Sequence, residues 1–417
     1  MRTLLYYELK KIFGIRRTLI LSGAALLVCL ASYWFACLPT LLHSQFDVQR
    51  IRAKESALSS DRIPAEAEAA EERRNAIIED PASYVSGVLP GEEESIWDTM
   101  KPERKEECER LENVMTAGFV LRIYDSYTDE LIAKREDPAL PLNQRLLLEE
   151  EIAMRQNAGT LQDRYNAFYY YMILFFTDYA PLLLGFVIIV LLSPVFTRET
   201  ASRTDSLILS SRRGKSGVIL AKFLASLLAV TMAFACIIGF YACLVGFTYG
   251  FEGGRTSSLF DFTDSFLFNA SPFHFTMAQL LGILLAVSYA GCLGLASLIL
   301  FLSSHLRSGT GGIVLSFTVY YLPLLLYFST NSRESLPLGV YFYSGLIQAV
   351  SLFRRFDGWV LFGRPVWSGY LMFHKALDLA QPGDVLVIAA GGSRPEIEPP
   401  AAKAGQGKYL QKQGLCL

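Results

Sequence analysis

Acidic and basic side chains are missing from long stretches of this sequence, and that absence is the first constraint on what it folds into. Thr18 to Phe46, Phe223 to Phe251, Ser265 to Leu306 and Ser308 to Ser332 hold no Asp, Glu, Lys or Arg, and Ala167 to Thr197 holds only Asp178. Each run meets the roughly 20 residues that a helix needs to cross a bilayer. With 52% hydrophobic and only 19% charged residues over 417 positions, a soluble fold is excluded. Cysteine is scarce where it would matter for cross-linking, because the long acidic segment between the first two runs holds only Cys108 and forms no internal disulfide. His43, His274, His305 and His374 are scattered, and no Cys or His spacing fits a metal site. A phosphate-binding loop is missing as well. Gly214-Lys215-Ser216 lacks the upstream glycine, Leu209 standing in its place, and an apolar span follows it. With no defensible Ser, His and Asp arrangement either, the sequence contains no catalytic centre and no means of hydrolysing ATP.

What is present fixes an orientation. The first 17 residues carry five basic residues and one Glu, whereas His43 to Ala167 carries about 27 acidic against about 16 basic. Lys and Arg are retained on the cytoplasmic side, so the N-terminus and the basic stretch from residue 196 to 217 are inside and the acidic segment is outside. The expected fold is an all-α polytopic membrane protein. Residues 1–17 form a basic amphipathic segment and 18–42 the first span. Residues 43–167 form a helical extracytoplasmic insertion, and 168–372 carry the remaining spans, five in all.

Proline punctuates the insertion. Asp61 to Pro64 starts a helix that runs to about Glu79 and stops at Asp80-Pro81; Lys101-Pro102 opens a Glu-rich helix through about Thr116 with a weaker stretch to Lys134. Leu142 to Gln156 is the third. Leu111, Val114 and Val120 give only a thin apolar stripe, which points to packing against a partner or a second copy. Glu150, Glu151 and Arg155 match an EExxxR pattern, but four-residue spacing on so charged a helix is expected of ordinary surface partners.

Within the spans, Asp178 is the single ionisable residue well inside an apolar run. Such a carboxylate marks a functional candidate, or else caps a helix break before Pro181 where water reaches it. Ala286, Ala290 and Gly294 recur every four residues on the fourth span and form a face for close helix packing. The fifth span contains Pro323, tolerable if neighbours satisfy the freed carbonyl. Leu336 to Phe353 is apolar enough by hydropathy to be a further span.

The basic stretch carries the most specific pattern. Phe196, Glu199, Thr204, the run Leu207 to Ser211, the turn Arg212-Arg213-Gly214-Lys215 and Lys222 resemble the first cytoplasmic loop of type-2 ABC exporter permeases, a resemblance that extends over residues 1–372. Arg203 departs from it, standing where a glycine is usual. The resemblance implies a subunit of a multi-pass transporter in a bacterial cell membrane, working as an exporter by alternating access. It implies that Glu199, Arg203, Arg212, Arg213 and Lys215 contact a separate cytoplasmic ATPase, on which ATP and Mg would bind, with no cofactor on this chain. It further implies a second permease copy or paralogue as partner, an elbow helix at 1–17 and no nucleic acid. Residues 336–353 would be re-entrant, with a last helix beginning after the turn Phe362 to Pro365, at Trp367 to Leu371.

That last span is expected to be incomplete. Phe373 to Leu417 has too few consecutive apolar residues to cross, and His374 to Ile388 resembles a short internal piece of the ribonuclease-activity-regulator family, as in a truncated or chimeric product. A different class also fits the residues: a membrane scaffold or sensor whose outer domain binds a ligand without transport.

Overall fold

The computed structural model describes residues 2–43, 58–85, 87, 95–157, 159–201, 214–260, 268, 271–306, 309–329, 342–354, 356, 358–361 and 364–367. The chain divides into two units, Met1–Met372 and Phe373–Leu417, and every described residue belongs to the first.

The N-terminal basic segment is helix α1 (Arg2–Ile12), separated at Gly14 from α2 (Ile15–Ala36), which is long and apolar enough to span. Pro39 cannot donate to the preceding turn, and the chain restarts there as the short α3 (Leu38–His43). Leu19, Leu27, Trp34 and Phe35 on α2 are exposed, an apolar surface suited to lipid.

The segment between the first two spans contains α4 (Ile63–Glu79), the one-turn α5 (Ile96–Thr99), α6 (Pro102–Arg135) and α7 (Leu142–Gln156). The residue before a proline is pushed out of helical space, so Asp80 is extended (ψ 112°) and its carboxylate accepts from the Ala82 N–H at 2.9 Å. Helix α6 is one continuous 34-residue rod of about 51 Å, rather than a helix that fades after Thr116. Helices α4 and α6 lie together closely because Gly118 has no side chain: a Cβ there would stand 2.6 Å from that of Ala67.

Part of the apolar stripe finds its cover within the chain: Val120 is buried, while Leu111 and Val114 are half-buried. Ile63, Ala117, Val120, Leu121, Tyr124 and Leu161 form a buried cluster completed by Phe260, from the loop after the third span, whose ring meets Tyr124 edge-on at 5.0 Å. A second cluster joins Ile77, Tyr84, Met100 and Cys108, with Leu111 against it. On the surface, Arg73 (2.9 Å) and Arg104 (3.0 Å) bond Glu107. The Arg73 hydrogen bond, against the opposing effect of burial, draws that carboxyl below the usual glutamate range. The sign follows: this small contribution is present at neutral pH and disappears as pH falls through the lowered value.

Glu151 and Arg155 are not the surface partners expected of their spacing. Both are buried, 7% and 4% exposed, with the guanidinium 3.3 Å from the carboxylate and 4.7 Å from the ring centres of both Tyr124 and Tyr127. It is a core element joining α7 to α6.

The second apolar run is broken into α8 (Ala167–Asp178), α9 (Ala180–Leu192) and α10 (Pro194–Ala201), each later piece having proline in its first turn. Among the described residues, four segments are long and apolar enough to cross a membrane: Arg16–Ala36, Ala180–Thr197, Gly217–Tyr249 and Met277–His305. They lie on α2, on α9 with α10, on α11 (Gly214–Tyr249) and on α12 (Met277–His305); α12 begins with a capping box in which Thr276 and Gln279 bond each other's backbone N–H. The fifth run gives α13 (Gly309–Ser329), apolar over Thr310–Leu325 and containing Pro323. The result is an all-α polytopic membrane protein.

After the fifth run come two short helices, α14 (Tyr343–Gln348) and α15 (Ser351–Arg354), broken at Ala349, whose φ of +24° an L residue rarely adopts. Neither is long enough to cross, and their side chains are largely buried against the other helices. The chain then forms an antiparallel pair, β1 (Gly358–Leu361) with β2 (Arg364–Trp367), seated on α7. Arg364 to Trp367 is therefore strand, and Trp367 does not open a helix. Residues 368–417, with the expected last helix and the tail, lie outside the described residues.

Candidate functional site

The second span is held at two places, and both arise from proline. At the break between α8 and α9, Pro181 has no N–H, which frees the carbonyl of Thr177 four residues earlier. Gln348 of α14, only 1% exposed, supplies the missing donor: its Nε2 bonds the Thr177 oxygen at 3.0 Å. Nearby, the Tyr320 hydroxyl donates to the Pro181 carbonyl at 2.7 Å, and Gly185 leaves the space its ring occupies. The segment α14 is further tied to the fourth span by Ser288, whose hydroxyl donates to the Ile347 carbonyl at 2.7 Å.

Removing the Gln348 amide should leave a buried carbonyl unmet, at about 1–3 kcal/mol. Gln348→Leu is therefore expected to lower the thermal midpoint of the purified protein. Pro181→Ala returns an N–H to position 181, and in that background Gln348→Leu should cost much less. Equal losses in both backgrounds would detach Gln348 from the proline break.

At the other end of the second span, Pro194 starts α10 and the loop at residues 196–217. The first N–H groups of a helix lack partners along the chain. Phe196 N–H is met from the fourth span by Ser303 Oγ (3.3 Å), which itself donates to the Ser193 carbonyl (2.8 Å). Thr197 Oγ1 reaches the same carbonyl at 3.2 Å. From the third span, Lys222 lies 1% exposed with Nζ 3.4 Å from the Val195 carbonyl and 4.8 Å above the Phe196 ring. Helix α1 packs along α11, so the N-terminal amphipathic helix is joined to the third span.

A polar seam binds the first span to the third. Tyr33 pairs with Thr248 (2.9 Å) and Ser32 with Tyr241 (3.3 Å), while Tyr249 donates to the Cys37 carbonyl (2.8 Å). Such interhelical bonds each contribute about 0.6–2 kcal/mol in a membrane.

Of the residues singled out by sequence, Arg203, Arg212 and Arg213 lie outside the described residues. Glu199 falls on α10 and Lys215 in the first turn of α11. Asp178 ends α8, is exposed, and precedes the membrane-length segment that begins at Ala180. It does not cap the break: the N-cap position of α9 is Tyr179, with no side-chain capping bond. Ala286 is exposed and Ala290 half-buried, while a Cβ at Gly294 would meet the Tyr343 ring at 2.5 Å. The buried side of α12 runs instead through Leu284, Ser288, Cys292 and Leu295. Gln348 and Ser303 carried no sequence signal. Lys222 did, as the one cation opening an otherwise uncharged run.

No group of three or more His, Cys, Asp or Glu able to hold a metal occurs among the described residues. Apolar helices of membrane length around a buried, proline-broken second span define a multi-pass membrane protein. Comparison with protein families then gives the narrower class: the model of the ABC-2 family transporter proteins matches residues 8–332, and the chain belongs to that family. Neither the curated proteins nor the solved structures give a match.

Proposed function

We propose that this chain is the permease subunit of an ABC exporter, moved by a separate cytoplasmic ATPase that docks on the loop at residues 196–217. The family match carries the reading, because it spans that loop and the four membrane-length segments flanking it. ATP and Mg bind the partner, and closure of the partner pushes the loop. The second and third spans, which continue from the loop on either side, tilt together and switch access between the two membrane faces. Glu199, Arg203, Arg212, Arg213 and Lys215 place the contact by charge. A second permease copy or a paralogue completes the pathway, Asp178 stands at its outer end, and Gly294 leaves room for the Tyr343 ring. The N-terminus is cytoplasmic, and the setting is a bacterial cell membrane.

Co-purification of the ATPase subunit tests this. Reversing two charges at once in Arg212→Glu, Arg213→Glu is expected to cut recovery by on the order of tenfold or more, since like charges placed across an interface cost several kcal/mol. Equal recovery removes both arginines from the contact. An assembled complex without ATP-driven flux of any substrate would instead favour the scaffold or sensor, for which the two buried clusters of the helices at residues 63–156 are the supporting observation.

A further inference from the structure

We propose that Lys222 and Ser303 are positioning residues that lock the root of the cytoplasmic loop, residues 193–197, to the third and fourth spans, so that a push on the loop moves the span bundle. The inference rests on the reading that the loop receives force, and it concerns what happens to that force at Pro194.

A helix interrupted by proline is a natural hinge, because an i to i−4 hydrogen bond is lost there. Left alone, the α9 to α10 junction would bend when α10 is displaced, and the displacement would stop at the membrane surface. Two side chains from outside the second span oppose this. Ser303 accepts from the Phe196 N–H and donates to the Ser193 carbonyl, bridging both sides of Pro194 with one hydroxyl. Lys222 holds the carbonyl of Val195, just past Pro194, and places its ammonium over the Phe196 ring.

The choice of lysine is informative. At a site 1% exposed, a leucine would satisfy burial without desolvating a charge. An ammonium adds what leucine cannot, a charge-assisted bond to a backbone carbonyl and attraction to an aromatic face. Those contacts tie the two helices that flank the loop to one another, Val195 on its entering side and Lys222 on its leaving side. Displacing one flank therefore displaces the other.

Hydrogen exchange of the full chain in lipid nanodiscs, alone and with its ATPase subunit, tests the proposal. Lys222→Met keeps the apolar stem and removes the ammonium. In this variant exchange at residues 194–201 is expected to rise roughly tenfold, with the outer helices Ile63–Glu79 and Pro102–Arg135 unchanged. ATPase recovery should stay within about twofold of wild type, because the root does not form the docking surface. The wild-type complex is expected to show an ATP-dependent change in exchange at residues 343–354, and Lys222→Met should lose it. Lys222→Arg retains a cation and should retain most of that change. Wild-type exchange at 194–201 in Lys222→Met overturns the lock, and a full ATP response at 343–354 despite a loosened root overturns its role in transmission. Should Lys222→Met fail to insert, Ser303→Ala supplies the same comparisons. Failure of the wild-type chain to recruit an ATPase strikes the functional reading instead, and the exchange at 194–201, read on the chain alone, still decides whether the lock exists.

Discussion

Arg155→Ala is expected to destabilise the helices between the first two spans by about 3–5 kcal/mol, the cost of leaving one member of a buried ion pair without its partner. Arg155 is 4% exposed, bonds Glu151 at 3.3 Å and stacks 4.7 Å from two tyrosine rings, so alanine removes a charge partner and two aromatic contacts together. Glu151 then stays buried without the guanidinium. The measurement is hydrogen exchange over α6 and α7, where protection at 117–131 and 142–156 should fall while the spans keep theirs. A double variant, Arg155→Met with Glu151→Leu, removes both charges and fills the volume, and should recover most of the loss. If the single variant is as stable as wild type, the pair is a surface feature after all.

Gly185→Ala is expected to be nearly as damaging, although it adds one methyl group. Its Cβ would lie 2.0 Å from Cε1 of Tyr320, a ring that is 1% exposed and has no room to retreat. Overpacking of this kind costs about 1–3 kcal/mol. Displacing the ring also breaks the 2.7 Å bond from its hydroxyl to the Pro181 carbonyl, adding about 1 kcal/mol. Tyr320→Phe should show only the second effect. Combining Gly185→Ala with Tyr320→Leu should relieve the clash, so thermal midpoints of the three variants separate steric from hydrogen-bond terms. An unchanged midpoint for Gly185→Ala would contradict the close crossing of α9 and α13.

The same residues show what the sequence could reveal. Apolar runs and prolines are local signals, and they locate most of the membrane segments and the ends of α4 and α7 without reference to anything distant. Burial is not local. Glu151 and Arg155, four apart on a charged helix, read identically on a surface and in a core, and Tyr124 and Tyr127, some 30 positions away, decide between them. Phe260 fills the outer cluster from beyond the third span, which no stripe count on α6 could anticipate. The break at Pro181 is legible, but its remedy is not, since Gln348 stands 171 residues from Thr177. Lys222 shows an intermediate case: its charge marks it in the sequence, while its role depends on a carbonyl 27 residues earlier. Of the loop residues themselves, charge and order are legible, and the side-chain contacts of Arg203, Arg212 and Arg213 fall outside the described residues.

Docking of an ATPase requires the loop at residues 196–217 to face the cytosol. Single-cysteine labelling with a membrane-impermeant maleimide tests this on right-side-out cells or spheroplasts, scored above the signal of the parent chain. Glu136→Cys, on an exposed turn between α6 and α7, should react in intact cells, and Ser211→Cys should react only once the membrane is opened. Reaction of Ser211→Cys in intact cells, with Glu136→Cys protected, would place the loop outside and contradict the account.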